Sequence, residues 1–262
     1  MNRLFLPLFL LLLASLLPSK TTTLTVADFE AAILKQTNLQ RAKYQLPALL
    51  PNAELSDLAR RHARNMARQK FFAHQDKEGM QVSDRQRKYY PQLMVQCIGE
   101  NLAYNQHSRR VFSPTEIVQG WMDSPDHREN ILSPDYSHLG VGVVLIADEL
   151  YSVQNFAYPV VKMLSQPLKR YSRNKSYLFQ FQYLAVQPKH DFAAYLILPK
   201  KDTRVMLTSN TYALGVKPLQ IEWIGGNTFK LKLPFEYGKG QYRLAFGWGG
   251  AYSESDFTFK VR

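Results

Sequence analysis

A carboxylate, an amide and an imidazole stand out for chemistry between Ile98 and Asn130: Glu100 and Asn101 follow Gly99, and His127 follows Asp126. A carboxylate and an imidazole held together can move a proton near neutral pH or activate water. The residues around them supply rigid punctuation. Ser113-Pro114-Thr115-Glu116 has the form of a helix start, with a hydroxyl acceptor, a proline suited to the first turn and a glutamate able to reach back. Ile117, Val118, Trp121 and Met122 then give that helix one apolar face. Ser124-Pro125 ends it and opens a second helix, Asp126 to Leu132, which stops before Pro134.

Other groups carry less. A serine nucleophile would pair Ser124 or Ser137 with a nearby histidine and use Glu100 to orient it. Nothing around either serine resembles a nucleophile elbow, and Ser124 before a proline reads as a helix cap. Cys97 is the single cysteine, so no intramolecular disulfide can form, and its apolar neighbours mark it as a small inert hydrophobe. His138 could replace His127 in a pair, but its place before a valine-rich strand suits a histidine that orders the loop. His62 falls on an apolar helix face and reads as a core histidine satisfied by one hydrogen bond.

The positioning elements follow from periodicity. Thr25 to Asp28 can cap a helix running to about Tyr44. Leu55, Leu58, Ala59, His62, Ala63 and Met66 repeat at helical spacing, with Arg60, Arg61, Arg64 and Arg68 on the opposite side. A short helix is expected around Ser83 to Tyr89. Leu139 to Ile146 and Tyr151 to Phe156 flank a turn at Asp148-Glu149 and read as a β-hairpin. Pro159 to Arg173 has little periodicity. Beyond it, period-two runs such as Phe179, Phe181, Tyr183 and Phe257, Phe259, Val261 argue for about seven antiparallel strands in an all-β immunoglobulin-like sandwich.

Gly99-Glu100-Asn101-Leu102-Ala103, the run from Trp121 to Leu132, and His138-Leu139-Gly140-Val141-Gly142-Val143 resemble the bacterial branch of the CAP superfamily. That superfamily groups cysteine-rich secretory proteins, insect antigen 5 and plant pathogenesis-related proteins. The resemblance continues in order through Asn38 to Ala42, Leu46 to Leu49, Leu55 to Ala67, Phe72-Ala73-His74 and Gln154 to Ala157, covering about residues 28–158. It implies a three-layer α-β-α sandwich. It also places His74, Glu100 and His127 on a cavity tetrad of two histidines and two glutamates. Such a trio would hold one divalent metal ion, zinc or magnesium, or do proton transfer. The second glutamate is expected three residues after Trp121, where Ser124 stands. Asn101 and Asn130 would tie loop backbone around the cleft, Arg128 would pair with a carboxylate there, and Arg41 would be a buried ion-pair partner.

Composition bounds the rest. A 262-residue chain with 45% hydrophobic and 21% charged residues is globular. Residues 1–161 hold 17 Lys/Arg against 15 Asp/Glu, a net of +2, whereas residues 162–262 hold 16 against 6, a net of +10. Arg3 and the 14-residue apolar run Leu4 to Leu17 form an export signal, too short for the roughly 20 residues of a comfortable span. No clean cleavage site follows, which leaves an uncleaved anchor open.

The expected class is therefore α+β: a signal over 1–23, a CAP domain over 24–160, a linker over 161–174 and a β-sandwich over 175–262. The expected role is an extracellular, periplasmic or envelope binding protein. Its cleft, lined by His74, Glu100, His127, Ser124, Asn101 and His138, would take a small apolar or lipid ligand or a metal ion. Its basic sandwich would dock on an anionic polymer or lipid surface; export argues against nucleic acid. Two other readings stay open: a metal-dependent hydrolase using His74, His127 and Glu100, and a spacer domain carrying a protein-binding sandwich.

Overall fold

The computed structural model describes residues 25–262. The export signal expected over residues 1–23 lies outside the described residues. Among those described, no helix is long and apolar enough to cross a membrane.

Thr25 opens α1 (Val26–Lys43) with a reciprocal cap: its hydroxyl accepts the Asp28 N–H at 3.1 Å, and the Asp28 carboxylate accepts the Thr25 N–H at 3.2 Å. After β1 (Leu50–Pro51), the Asn52 side chain caps α2 (Ala53–Gln69). That helix buries Leu55, Leu58, Ala59, His62, Ala63 and Met66 and exposes Arg61, Arg64 and Arg68, as its periodicity requires. The N-terminal half continues with α3 (Val82–Tyr89), β2 (Leu93–Gln106), α4 (Pro114–Asp123), α5 (Pro125–Leu132), β3 (His138–Ile146) and β4 (Glu149–Met163). β3 and β4 form the expected hairpin. β2 shows no alternation in the sequence. It pairs with β4 along nearly its whole length, but register shifts around Val95 and uneven burial break the period of two.

β4 is the central strand, flanked by β2 on one edge and by β3 and then β1 on the other. It is buried from Leu150 to Val161: helices cover both faces of its first half, and Tyr158, Val160 and Val161 join the core of the C-terminal half. On one face α1, α4 and α5 bring Ile33, Trp121 and Ile131 against Leu139, Val141 and Phe156. On the other, α2 brings Ala59, Ala63 and Met66 against Leu102, Tyr151 and Val153. The three-layer arrangement is thus present. α2 lies directly on the backbone of β3: a Cβ at Gly140 would overlap the backbone of Leu55 and Ser56, and one at Gly142 the backbone of Ala59 and Arg60.

The C-terminal half holds β5 (Ser176–Tyr183), β6 (Phe192–Ile197), β7 (Arg204–Met206), β8 (Tyr212–Leu214), β9 (Val216–Leu219), β10 (Glu222–Gly225), β11 (Thr228–Pro234), β12 (Gly240–Trp248) and β13 (Ala251–Val261). These nine strands exceed the expected seven, in part because β7 and β8 form a small separate hairpin. β5, β11 and β10 make one layer; β13, β12, β6 and β9 make the other. Phe179, Phe181 and Phe229 of the first layer meet Phe192, Phe246 and Phe259 of the second in one aromatic core.

The two halves are not strung on a free linker. β4 runs on through Val161–Met163, the first residues of the expected linker, and pairs there with Phe181–Tyr183 of β5. Its residues Val160, Val161 and Met163 are buried, so the alternation that marks a half-exposed strand is missing. Tyr171, also in that stretch, packs against Phe179, Phe235 and Phe259.

Gly140→Ala is expected to lower unfolding free energy by about 2–3 kcal/mol, because the helix must lift from the strand. Gly120→Ala is the control. Gly120 has open space around its Cβ position inside α4, so that change is expected to stabilise by up to about 1 kcal/mol. Equal effects of the two, read by denaturant titration, would contradict the close approach.

Candidate functional site

β2 carries Glu100 into the interior, where its side chain is 2% exposed and both oxygens are occupied. The Arg85 guanidinium on α3 donates from Nη2 to Oε2 at 2.6 Å. The His74 imidazole reaches Oε1 through Nδ1 at 3.0 Å. An ionised carboxylate only accepts, so His74 presents Nδ1–H to Glu100 and turns Nε2 away from it. Arg85 also donates from Nη1 to the carbonyls of His74 at 2.7 Å and Met80 at 2.8 Å, fastening both ends of the loop between α2 and α3. With its amide turned to suit its neighbours, Asn155 of β4 adds a donor 3.3 Å from Glu100 Oε2.

A second network fixes the other side. Asn101 is fully buried and donates to the His127 carbonyl at 3.0 Å and to Gln154 Oε1 at 3.2 Å, while Asn130 donates to it at 2.9 Å. Gln154 passes the chain on to Thr37 of α1 at 2.7 Å. Trp121 donates its indole N–H to the Leu102 carbonyl at 2.9 Å. Helices α1, α4 and α5 are thereby tied to β2 and β4. Gly99 completes this corner: a Cβ there would collide with the Tyr136 hydroxyl.

The imidazoles differ in surroundings. His74 has a half-exposed side chain, and His127 is half-buried on α5. Burial pushes the His127 pKa down, and neighbouring His74 pushes it the same way whenever its ring is protonated. His62 donates its Nε2–H to the Ala73 carbonyl at 3.0 Å, and its Nδ1 has no partner among the described residues. Its Nε2 is 4.0 Å from Glu100. His138 opens β3, buried, with Nδ1 2.9 Å from the Ser137 hydroxyl and away from the Glu100 network.

Several expected partners stand elsewhere. Ser124 occupies the N-cap position of α5, but its side chain makes no capping hydrogen bond; Pro125 removes the first N–H, and the cap acts through the Ser124 carbonyl. Arg41 has no carboxylate partner among the described residues. It donates to the carbonyls of Pro47, Ile131 and Ser133, each at 2.8 Å, and so closes the C-terminus of α5 rather than an ion pair. Arg128 makes no ion pair among the described residues. The Cys97 thiol donates to the Asp135 carbonyl at 3.4 Å, and burial raises its pKa, which keeps it protonated.

The donor set does not fit a resident divalent ion. Among the described residues, no three His, Cys, Asp or Glu side chains are grouped to hold one. Glu100 has given both oxygens away, and the Arg85 charge beside it repels a cation. Sequence reasoning passed over Arg85. The available signal was its place with Val82, Gln86 and Tyr89 on one stripe of α3, where a charge needs a buried partner.

Residues 34–156 match the profile of CAP, the cysteine-rich secretory protein family. This stretch is a CAP domain. No family profile matches the C-terminal half. The CAP stretch is 33% identical over 130 residues to Uncharacterized protein YkwD of Bacillus subtilis (strain 168), covering 48% of each chain. It is 36% identical over 127 residues to Uncharacterized membrane protein YlbC of the same organism, covering 48% of this chain and 34% of that one. The match thus spans about half of the first relative and a third of the second. An extracellular SCP-domain protein of Bacillus anthracis is similar in structure, with a TM-score of 0.43 and 30% identity over 52% of this chain and 44% of its own.

Burial holds the imidazoles of His62, His127 and His138 below their ordinary 6.5. The unfolded chain therefore takes up protons that the folded CAP domain refuses as pH falls through 6.5. Stability from this source is complete above that pH and is lost below it. The denaturant midpoint is expected to fall between pH 7.5 and 5, less steeply in His138→Gln. A midpoint that rises on acidification would contradict the assignment.

Proposed function

We propose that this protein is an exported, envelope-associated binding protein. Its CAP cleft offers His74 and His127 to a small ligand, and its basic C-terminal half docks it on an anionic lipid surface. One observation carries the choice of binding over hydrolysis: both Glu100 oxygens are bonded inside the protein. A carboxylate that holds a buried guanidinium is poorly suited to take a proton from water, because protonating it would leave Arg85 buried without its counter-charge. Glu100 acts instead as a positioning residue that aims His74 outward.

The docking half supports the same reading. Its sheet orders, β4-β5-β11-β10 and β13-β12-β6-β9, support reading it as an immunoglobulin-like sandwich with the end of β4 as first strand. On the β7–β8 hairpin, Met206, Leu207, Tyr212 and Leu214 are exposed beside Lys200, Lys201 and Arg204. Apolar side chains within a basic collar suit the interface of an anionic bilayer. That one relative is named a membrane protein accords with an envelope location.

Pelleting with vesicles tests the docking. The protein is expected to sediment with vesicles containing anionic phosphatidylglycerol and not with neutral phosphatidylcholine. A Lys200→Gln/Lys201→Gln/Arg204→Gln variant should weaken binding roughly tenfold or more. Equal sedimentation of parent and variant would overturn it. For the cleft, Glu100→Gln is expected to cost about 3 kcal/mol of stability. A Glu100→Gln protein as stable as the parent but stripped of a hydrolytic activity the parent possesses would establish the hydrolase instead.

A further inference from the structure

A cavity of about 380 Å³ lies between α2, α3 and the loop joining them. Its walls follow from the exposed stripe of α2: Arg61, Arg64 and Arg68 recur at helical spacing and overhang Arg85 and Tyr89 of α3. Asp76 and Glu78 are the carboxylates in its lining, so four arginines face two acids. Those acids are already committed. Asp76 accepts the N–H groups of Glu78 at 3.0 Å and Met80 at 2.9 Å, and Glu78 pairs with Lys88 at 2.7 Å.

Of the arginines, Arg61 is bonded to Asp57 and Arg85 to Glu100, each through an ion pair. Arg64 and Arg68 have no acidic partner among the described residues. At the buried end stand two polar atoms with no hydrogen-bond partner, Arg85 Nε and His62 Nδ1, on side chains 3% and 0% exposed. A buried donor and a buried imidazole nitrogen left unbonded are costly, and the side chains that carry them are among those lining this cavity.

We propose that this cavity binds a phosphate group, free or carried on a small polyol. Arg64 and Arg68 take its oxygens at the mouth, and Arg85 Nε–H and His62 Nδ1 meet it at the buried end. A phosphate suits the set better than a carboxylate. It carries negative charge to meet Arg64 and Arg68, it accepts from guanidinium forks, and its remaining hydroxyl can donate to a neutral imidazole nitrogen. The cavity has room for a substituent beyond the phosphate. This site is separate from the His74–His127 cleft and does not depend on the function proposed for that cleft.

Calorimetric titration of the full chain with inorganic phosphate, glycerol phosphate and acetate, at fixed ionic strength, tests the proposal. Saturable one-to-one binding of either phosphate is expected, with acetate at least tenfold weaker. Tighter binding of glycerol phosphate would assign the ligand to a polyol phosphate; tighter binding of inorganic phosphate would assign it to the free ion. Arg64→Gln/Arg68→Gln alters only exposed side chains and is expected to weaken phosphate binding by tenfold or more while leaving the thermal midpoint unchanged. No saturable heat with either phosphate, or phosphate binding unchanged in that variant, would overturn it. So would acetate binding as tightly as phosphate.

Discussion

The carboxylate of Glu100, buried between a guanidinium and an imidazole, sets the terms for the rest of the CAP domain. An isolated carboxylate in that interior would be far too costly to keep ionised. Arg85 offsets the cost at 2.6 Å, and the same guanidinium holds the carbonyls of His74 and Met80. One ion pair therefore fixes α3, the loop that precedes it and the direction of His74. Both Glu100 oxygens are thereby bonded inside the protein, while the His74 side chain stays half-exposed.

Around that pair, the fold is a matter of close approach. Glycines at 140 and 142 let α2 rest on the β3 backbone, which carries His62 to within 4.0 Å of Glu100. Buried amides do the equivalent work on the opposite face, where Thr37, Gln154, Asn101 and Asn130 form one chain of hydrogen bonds from α1 to α5. β4 extends the order further. By pairing with β2, β3 and β5, it makes the CAP sheet and one layer of the C-terminal half a single sheet. The two halves are thus joined by continuous strand pairing from β4 to β5 rather than by a free tether.

Much of this was legible in the amino-acid sequence where one local rule dominates. The α2 stripe, the Thr25 cap, the Pro114 start of α4, the β3–β4 hairpin and the alternating aromatic strands each follow from spacing or a single stop signal. β2 was not legible, because bulges near Val95 and mixed burial remove its period of two. The end of β4 read as linker because burial on both sides leaves no alternation to see. Tertiary pairing was the other gap. Arg41 has the look of an ion-pair residue, yet its partners are three carbonyls brought together only by folding. Arg85 stands among several basic residues on a short helix, and nothing nearby in the chain names Glu100 as its partner.

The position of one proton tests the central claim most directly. With Glu100 accepting from His74, Nδ1 must carry a proton, and the neutral ring is then the Nδ1–H tautomer. Nitrogen-15 spectra of histidine-labelled protein near pH 7.5, assigned by comparison with His74→Gln, report which ring nitrogen carries it. The account predicts the Nδ1–H form for His74 in the parent and its loss in Glu100→Gln. A His74 ring protonated on Nε2 with Nδ1 bare, or one unaffected by Glu100→Gln, would contradict it.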